Sequence, residues 1–277
     1  MSLTVFAIIL FGAALHATWN AVVKGGDDKL LTTCLITATG AMIAVLLLPF
    51  LTIPAVASWP FLLCSVLLQV IYYLLVAHTY RIADMGQAYP IMRGTAPLLV
   101  ASVSVTLLSE PLPAMAWLGI GVVCVGILSM AVARSASGRR GLGLALLNAC
   151  VIAAYTLVDG YGVRLSGAPA AYTLWIFLLT GVPMAAWAVA SRRRVFVAYA
   201  RANWRLGLIG GVGTVTSYGL ALWAMTAAPV AVVSALRETS ILFGAAISVL
   251  VLKESLTPAR IIAACIIAAG VMILRMA

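Results

Sequence analysis

Residues 93–112 read RGTAPLLVASVSVTLLSEPL, and residues 237–256 read RETSILFGAAISVLVLKESL. Aligned at a shift of 144 residues, the two stretches are identical at nine of twenty positions. Leucine and valine match by chance in many pairs of apolar helices. Arginine, threonine and glutamate are uncommon on lipid-facing surfaces, so their pairing here is not explained by composition. The chain therefore contains an internal repeat, and this repeat decides the fold.

The composition is that of a membrane protein. Of the 277 residues, 64% are hydrophobic and only 9% are charged, and the mean hydropathy is +1.15. A soluble domain carries about 25% charged residues. In a bilayer the backbone must form its hydrogen bonds within the chain, which leaves helices or a closed barrel. The apolar runs lack the alternation of barrel strands, so helices are expected.

Ten apolar runs are long enough to cross a bilayer, which takes roughly 20 residues each. They are Leu3–Val23, Leu30–Ile53, Trp59–Tyr80, Ala88–Leu108, Leu112–Ala133, Leu142–Val163, Ala170–Ala190, Leu206–Ala227, Val230–Leu252 and Leu256–Leu274. Five spans per repeat is an odd number, so the second copy enters the membrane from the opposite side. The sequence thus predicts an all-α integral membrane protein of ten transmembrane helices, built as two inverted five-helix repeats over residues 1–134 and 140–277. Secondary transporters are built this way, with the substrate site at the repeat interface.

Positive charge is distributed unevenly between the two membrane faces. The loops after the odd-numbered spans hold thirteen lysines and arginines, whereas the opposite face holds Arg164 and Arg275. The thirteen are Lys24, Lys29, Arg81, Arg134, Arg139, Arg140, Arg192, Arg193, Arg194, Arg201, Arg205, Lys253 and Arg260. The positive-inside rule predicts a cytoplasmic location for the arginine-rich face and an outer location for both termini. The net charge of +10 therefore reflects membrane orientation, and no nucleic-acid partner is expected.

The end of each repeat resembles a known family. Glu110 in SEPL and Glu254 in KESL are followed by glycines, which are Gly119, Gly126 and Gly270. This ending resembles that of the EamA domain of the drug/metabolite transporter superfamily, and within it the chain looks most like the YddG-type amino-acid exporters. The resemblance implies export of metabolites such as amino acids across the bacterial inner membrane. Small multidrug members of the superfamily use a carboxylate in their first helix, whereas this chain offers His16, Asn20 and Lys24, so proton-coupled cation antiport is not indicated.

Charged residues inside the spans are the first candidates for a substrate site. Arg93 and Arg237 each lie several residues within a span, where a charge costs at least ~2.5 kcal/mol and usually faces a cavity or a partner. Each could bind a substrate carboxylate or close a gate. The alternative is a structural role, either in an ion pair, such as Arg237 with Glu238 or another acid, or with the side chain extended to the membrane interface. Glu238 could contact a substrate ammonium or carry a proton, but pairing with the adjacent Arg237 is an equally simple explanation. Asp159 is expected near the outer end of its span, solvated at the interface.

Aromatic and histidine side chains form the second set of candidates. At a shift of 145, Tyr73 matches Tyr218 and His78 matches Trp223, while Trp19 parallels Tyr155 near the start of each repeat. Together with His16, which could titrate near neutral pH, these residues could flank a central cavity that accepts an aromatic substrate. The alternative is that they are packing residues, interhelical hydrogen-bonding groups or members of the aromatic belt at the membrane interface.

The leading functional prediction is a secondary transporter that exports amino acids, aromatic ones among the candidates, or related small metabolites. A multidrug or organic-cation carrier is the alternative, although it would favour an anionic cavity. A membrane enzyme or sensor is a third class, but the sequence has no nucleophile motif, nucleotide loop or metal-ligand spacing. No enzymatic activity and no cofactor are expected. The predicted partners are a small-molecule substrate and the lipid bilayer, and a monomer is compatible with this architecture.

Overall fold

The computed structural model describes residues 1–25, 28–107, 109–132, 138–250 and 257–277. These residues form eleven α-helices and two short 3₁₀ turns, without strands. The helices are α1 Leu3–Gly25, α2 Lys29–Leu47, α3 Trp59–Ile82, α4 Met85–Leu107, α5 Ala114–Val132, α6 Arg139–Ser166, α7 Pro169–Ala202, α8 Trp204–Met225, α9 Val230–Arg237, α10 Ser240–Leu250 and α11 Pro258–Met276. Ten segments are long and apolar enough to cross a membrane. The predicted ten-span, all-helical membrane fold is therefore confirmed.

The ninth span is interrupted at its centre, which the sequence did not indicate. Helix α9 ends at Arg237 and α10 begins at Ser240. Between them the backbone N–H groups of Glu238 and Thr239 bond three residues back, and the Thr239 hydroxyl also donates to the Leu236 carbonyl at 2.7 Å. These tight bonds replace the regular α-helical ladder. The equivalent stretch of the first repeat lies in α4, which is a single helix.

Helix α7 extends well beyond its predicted end. The segment from Arg192 to Arg205, expected to be a loop, is helical to Ala202 after a kink at Arg192, where φ is −144° and ψ is 43°. The buried ring of Phe196 packs beside Cys34 and Leu35 of α2. This contact holds the part of α7 after the kink against α2.

Extensive helix contacts join the two repeats. Helix α1 packs on α8, α2 on α7, α3 on α6 and α5 on α11, while α4 packs on α6 and, within its own repeat, on α5. Glycines allow the closest approaches. A Cβ at Gly126 would lie 2.8 Å from Ile267, and one at Gly270 would lie 2.7 Å from Val123.

The outer surface of the bundle is apolar, and its polar groups are concentrated inside. Phe50 is 84% exposed, and many leucines and valines stand exposed on several other helices. By contrast, Arg93, Glu238 and Asp159 are buried. A lipid-facing exterior around a polar interior is the arrangement expected of a carrier or channel.

Candidate functional site

A cavity lies at the centre of the bundle, between helices of both repeats. It encloses about 740 Å³, the solvent at its mouth included. Its lining residues are His16, Trp19, Asn20, Gln69, Tyr72, Tyr73, Tyr89, Arg93, Tyr155, Phe177, Thr214, Tyr218 and Arg237. The wall therefore combines aromatic rings with two guanidinium groups and a few uncharged polar side chains.

Positions that correspond between the repeats meet in this cavity. Eight of the thirteen lining residues form four corresponding pairs, which are Trp19 with Tyr155, Gln69 with Thr214, Tyr73 with Tyr218, and Arg93 with Arg237. Such pairing is the geometry that an approximate two-fold exchange of the repeats would produce at their interface.

The cavity lies nearer to one face of the bundle. Tyr89 is four residues from the start of α4 and Asn20 is five from the end of α1, so they lie about 6–8 Å along the helix axes from the arginine-rich face. From the other face, the nearest lining residues are Tyr218 and Arg237, each seven residues from a helix end, or roughly 10 Å.

The arginine-poor face is closed by a cluster of polar contacts. Glu110, which follows α4, forms an ion pair with Arg164 of α6 and accepts a hydrogen bond from the Val230 N–H at 3.0 Å. Arg164 also donates to the carbonyls of Met225, at 2.7 Å, and Ala228, at 3.0 Å. Glu110 thus stabilises the first turn of α9, in the other repeat, and not the helix that follows it in sequence. Its counterpart Glu254 lies outside the described residues.

Arg93 and Glu238 form a buried ion pair that joins the two repeats. The Arg93 Nε donates to Glu238 Oε2 at 2.9 Å, and the residues are 7% and 4% exposed. Glu238 therefore forms its ion pair with Arg93, and not with the adjacent Arg237 as one of the two alternatives had it. At the break after α9 the Glu238 side chain instead reaches across the bundle to α4, which the sequence could not show because the contact spans 145 residues.

Arg237 lies in the cavity wall, where its guanidinium can bind a ligand. Its guanidinium carbon lies 5.1 Å from the centre of the Tyr218 ring, a cation–π contact. Among the residues that the structure describes, Arg237 makes no ion pair. A partly buried guanidinium held by a ring face keeps its N–H donors free for an anionic ligand.

Asp159 is also buried, which corrects its expected place at the solvated interface. It is 0% exposed, and its carboxylate accepts hydrogen bonds from the hydroxyls of Tyr172, at 3.2 Å, and Tyr218. The prediction from sequence counted residues along α6 but could not show that α7 and α8 cover this position. Tyr218 thereby connects Asp159 to the ring face that carries Arg237.

His16 lines the cavity beside Trp19. The Trp19 indole Nε1 donates to His16 Nδ1 at 3.3 Å, and the rings meet edge to face with centroids 5.3 Å apart. Asn20 is fixed on the same helix, because its side-chain amide donates to the His16 carbonyl at 2.7 Å.

His78 and Trp223 do not line the cavity, contrary to expectation. His78 is exposed near the end of α3. Trp223 is 38% exposed and lies in an apolar groove on the bundle exterior, with Phe50 and Leu220. Both residues occupy matching positions in the repeats, but those positions face outward. Sequence correspondence gives the position along a helix without giving the direction of the side chain.

Other lining residues were not selected from the sequence. Gln69 and Thr214 correspond at the same shift of 145 that relates Tyr73 to Tyr218, and each lies one helical turn before its tyrosine. That spacing places them on the same helix face, so the repeat itself contained the signal. Tyr72 and Phe177 have no matching aromatic partner and could not have been found this way.

Comparison with known proteins agrees with the transporter class. Residues 139–276, slightly less than half of the chain, match the sequence model of the EamA-like transporter family, and the ten long apolar helical segments make the chain a multi-pass membrane protein. One solved structure, described as a crystal structure of a protein, aligns over 99% of this chain and 96% of its own, with a TM-score of 0.76 and 16% identity. At that identity the likeness establishes the fold alone. No curated protein matches the sequence.

Proposed function

We propose that this protein is a transporter that exports amino acids, or related small metabolites with a carboxylate, by alternating access through the central cavity. The observation that carries the proposal is Arg237, a cavity guanidinium without an ionic partner among the described residues. The Arg93–Glu238 pair is neutral overall, so Arg237 leaves this wall positive. A positive, aromatic-lined cavity suits a substrate with a carboxylate and an apolar side chain.

Two features support alternating access between inverted five-helix repeats over residues 1–134 and 140–277. The cavity lies nearer the arginine-rich face, whereas the opposite face is held closed by Glu110 and Arg164. The corresponding residues that line the cavity are those expected if the two repeats exchange conformations. In this arrangement the substrate binds from the arginine-rich side and leaves after the Glu110–Arg164 cluster has opened.

Organic-cation efflux is the competing function, and flux measurements separate the two. Purified protein in proteoliposomes is tested with L-phenylalanine, its amide and tetraphenylphosphonium, each on a downhill gradient. Charge-assisted hydrogen bonds contribute about 1.5–3 kcal/mol, so the free acid is expected to move roughly tenfold faster than the amide, or more. Downhill flux is expected to persist after a protonophore collapses the pH gradient. Faster movement of the phosphonium cation than of any amino acid in a wider panel would instead support cation efflux.

We propose that the arginine-rich face is cytoplasmic in a bacterial inner membrane, with both termini outside. The support is the distribution of lysine and arginine between the two sets of loops. Cysteines introduced at Ser2 and Ser191, each in a chain without native cysteines, are treated in intact cells with a membrane-impermeant thiol reagent. Position 2 is expected to react and position 191 to react only after the cells are opened. The reverse pattern would invert the orientation.

A further inference from the structure

Asp159 is a buried acid. Substrate binding alone does not explain why it is buried. It lies within a membrane span, it has two tyrosine hydroxyls as hydrogen-bond partners, and it makes no ion pair within the described part of the chain. An ionisable group at this depth is costly and usually has a functional role. Hydroxyl partners suit both states of a carboxyl group, because a hydroxyl can donate to the carboxylate or accept from the protonated acid.

The surroundings connect this acid to the cavity by two routes. Tyr218 donates to it directly, and Gln69 donates to Ser65 Oγ at 3.1 Å, with Ser65 facing the same carboxylate from α3. Both Tyr218 and Gln69 line the cavity. The titratable and polar groups around Asp159 and its neighbours are Tyr172 on α7, Tyr218 on α8, Ser65 on α3, Tyr155 on α6, Arg237 on α9, and Arg93 of α4 with its partner Glu238.

We propose that Asp159 is a proton-binding site of the transporter, and that a proton binds there together with a substrate carboxylate at Arg237. The substrate part of this inference rests on the proposed function, whereas the proton site does not. Arg237 is one of the charged groups that act on Asp159, and a positive charge favours the carboxylate form of an acid. A substrate carboxylate that neutralises Arg237 weakens this effect, so that protonation of Asp159 becomes more favourable.

The proton transfer needs no other reactant. A hydronium ion that enters through the cavity water transfers its proton to Asp159 Oδ2 and leaves a water molecule, so the carboxyl becomes a donor to the Tyr218 oxygen. The Tyr218 hydroxyl hydrogen is then released from Asp159 and can turn toward the cavity, where a substrate oxygen can accept it. Since proton and substrate carboxylate favour each other's binding, they are carried in the same direction, and acid on the loading side accelerates transport.

The proton site is tested first without any substrate. The infrared C=O band of a protonated carboxyl is followed against pH in purified protein. The wild type is expected to show a titrating band that Asp159→Asn removes and that Asp84→Asn, a control at an exposed acid outside the spans, retains. In Arg237→Gln the band is expected to persist to higher pH, by roughly one unit or more, since a nearby positive charge has been removed. A band that survives Asp159→Asn, or no titrating band in folded wild-type protein, overturns the proposal. An unchanged midpoint in Arg237→Gln disproves the link to the cavity.

Transport then tests the coupling. L-phenylalanine flux in wild-type proteoliposomes is expected to rise several-fold when the loading side is acidified, while Asp159→Asn transports at a rate independent of pH. Loss of all pH dependence in the wild type, or its retention in Asp159→Asn, contradicts coupling through this acid. If L-phenylalanine is not transported, the proposed substrate class fails, but the substrate-free titration still decides whether Asp159 binds a proton.

Discussion

Arg93 and Arg237 occupy equivalent positions in the two repeats but have different surroundings. Arg93 lies in the middle of a continuous helix and is neutralised by Glu238, whereas Arg237 ends a short helix and rests on the ring of Tyr218. The repeat thus supplies two guanidinium groups to one cavity. One of them stabilises the contact between the halves, and the other is free to bind a ligand.

The difference follows from the next residue in each copy. The first repeat has Gly94, where a Cβ would lie 2.9 Å from the Leu128 side chain, so α5 leaves no room for an acid there. The second repeat has Glu238 at the break between α9 and α10, where the chain is free to direct the carboxylate to Arg93. A single unmatched position is sufficient to give the two arginines different roles.

Neutralising the free arginine is expected to have the largest effect on transport. Arg237→Gln should lower transport of L-phenylalanine by about ten- to a hundredfold, because a charge-assisted bond to the carboxylate is lost, while flux of the amide changes little. Arg237→Lys should recover part of the loss, since it restores the charge without the bidentate geometry. Initial rates are normalised to folded protein, with Arg193→Gln, at an exposed arginine, as the matched control. An equal loss for acid and amide would show that Arg237 has a structural role.

Breaking the Arg93–Glu238 ion pair is expected to lower the stability of the protein more than it changes substrate specificity. Glu238→Gln leaves Arg93 charged and unpaired, which typically costs about 3–5 kcal/mol. Arg93→Gln should cost less, because Glu238 can take up a proton, and the double variant should cost less than Glu238→Gln alone. Melting temperatures in detergent and a double-mutant cycle measure this order. Additive losses in the double variant would mean that the two side chains do not stabilise each other.

The smallest effect is expected at the glycine that excludes an acid from the first repeat. Gly94→Ala places a methyl group against Leu128 and should destabilise the protein by about 1–3 kcal/mol, as overpacking does. Gly121→Ala on α5 is the control, since a Cβ there meets no atom within 4 Å. Equal melting temperatures for the two variants would show that α4 and α5 can separate at no cost, and that steric exclusion does not explain the asymmetry.

The sequence predicts most of the fold and part of the site. Hydrophobic runs fixed the ten spans, and the repeat identified Arg93, Arg237, Tyr73 and Tyr218 as residues that could share a cavity. The sequence could not predict the rotation of each helix about its axis. Trp223 was therefore expected in the wall of the cavity, although it faces the exterior of the bundle. The sequence also could not reveal which helices cover Asp159, or that Glu238 would form its ion pair with Arg93 in the other repeat. These features depend on packing between distant segments.

The closure at the arginine-poor face has a consequence for how the protein opens. Glu110 there accepts a hydrogen bond from the Val230 N–H, whereas Arg164 donates to the carbonyls of Met225 and Ala228. Moving Glu110 away from α9 therefore leaves the Val230 N–H without its partner and breaks the ion pair with Arg164. Lipid offers no hydrogen bonds to replace them, but water does. That end of the bundle therefore opens only as water enters and forms hydrogen bonds with the groups that lose their partners.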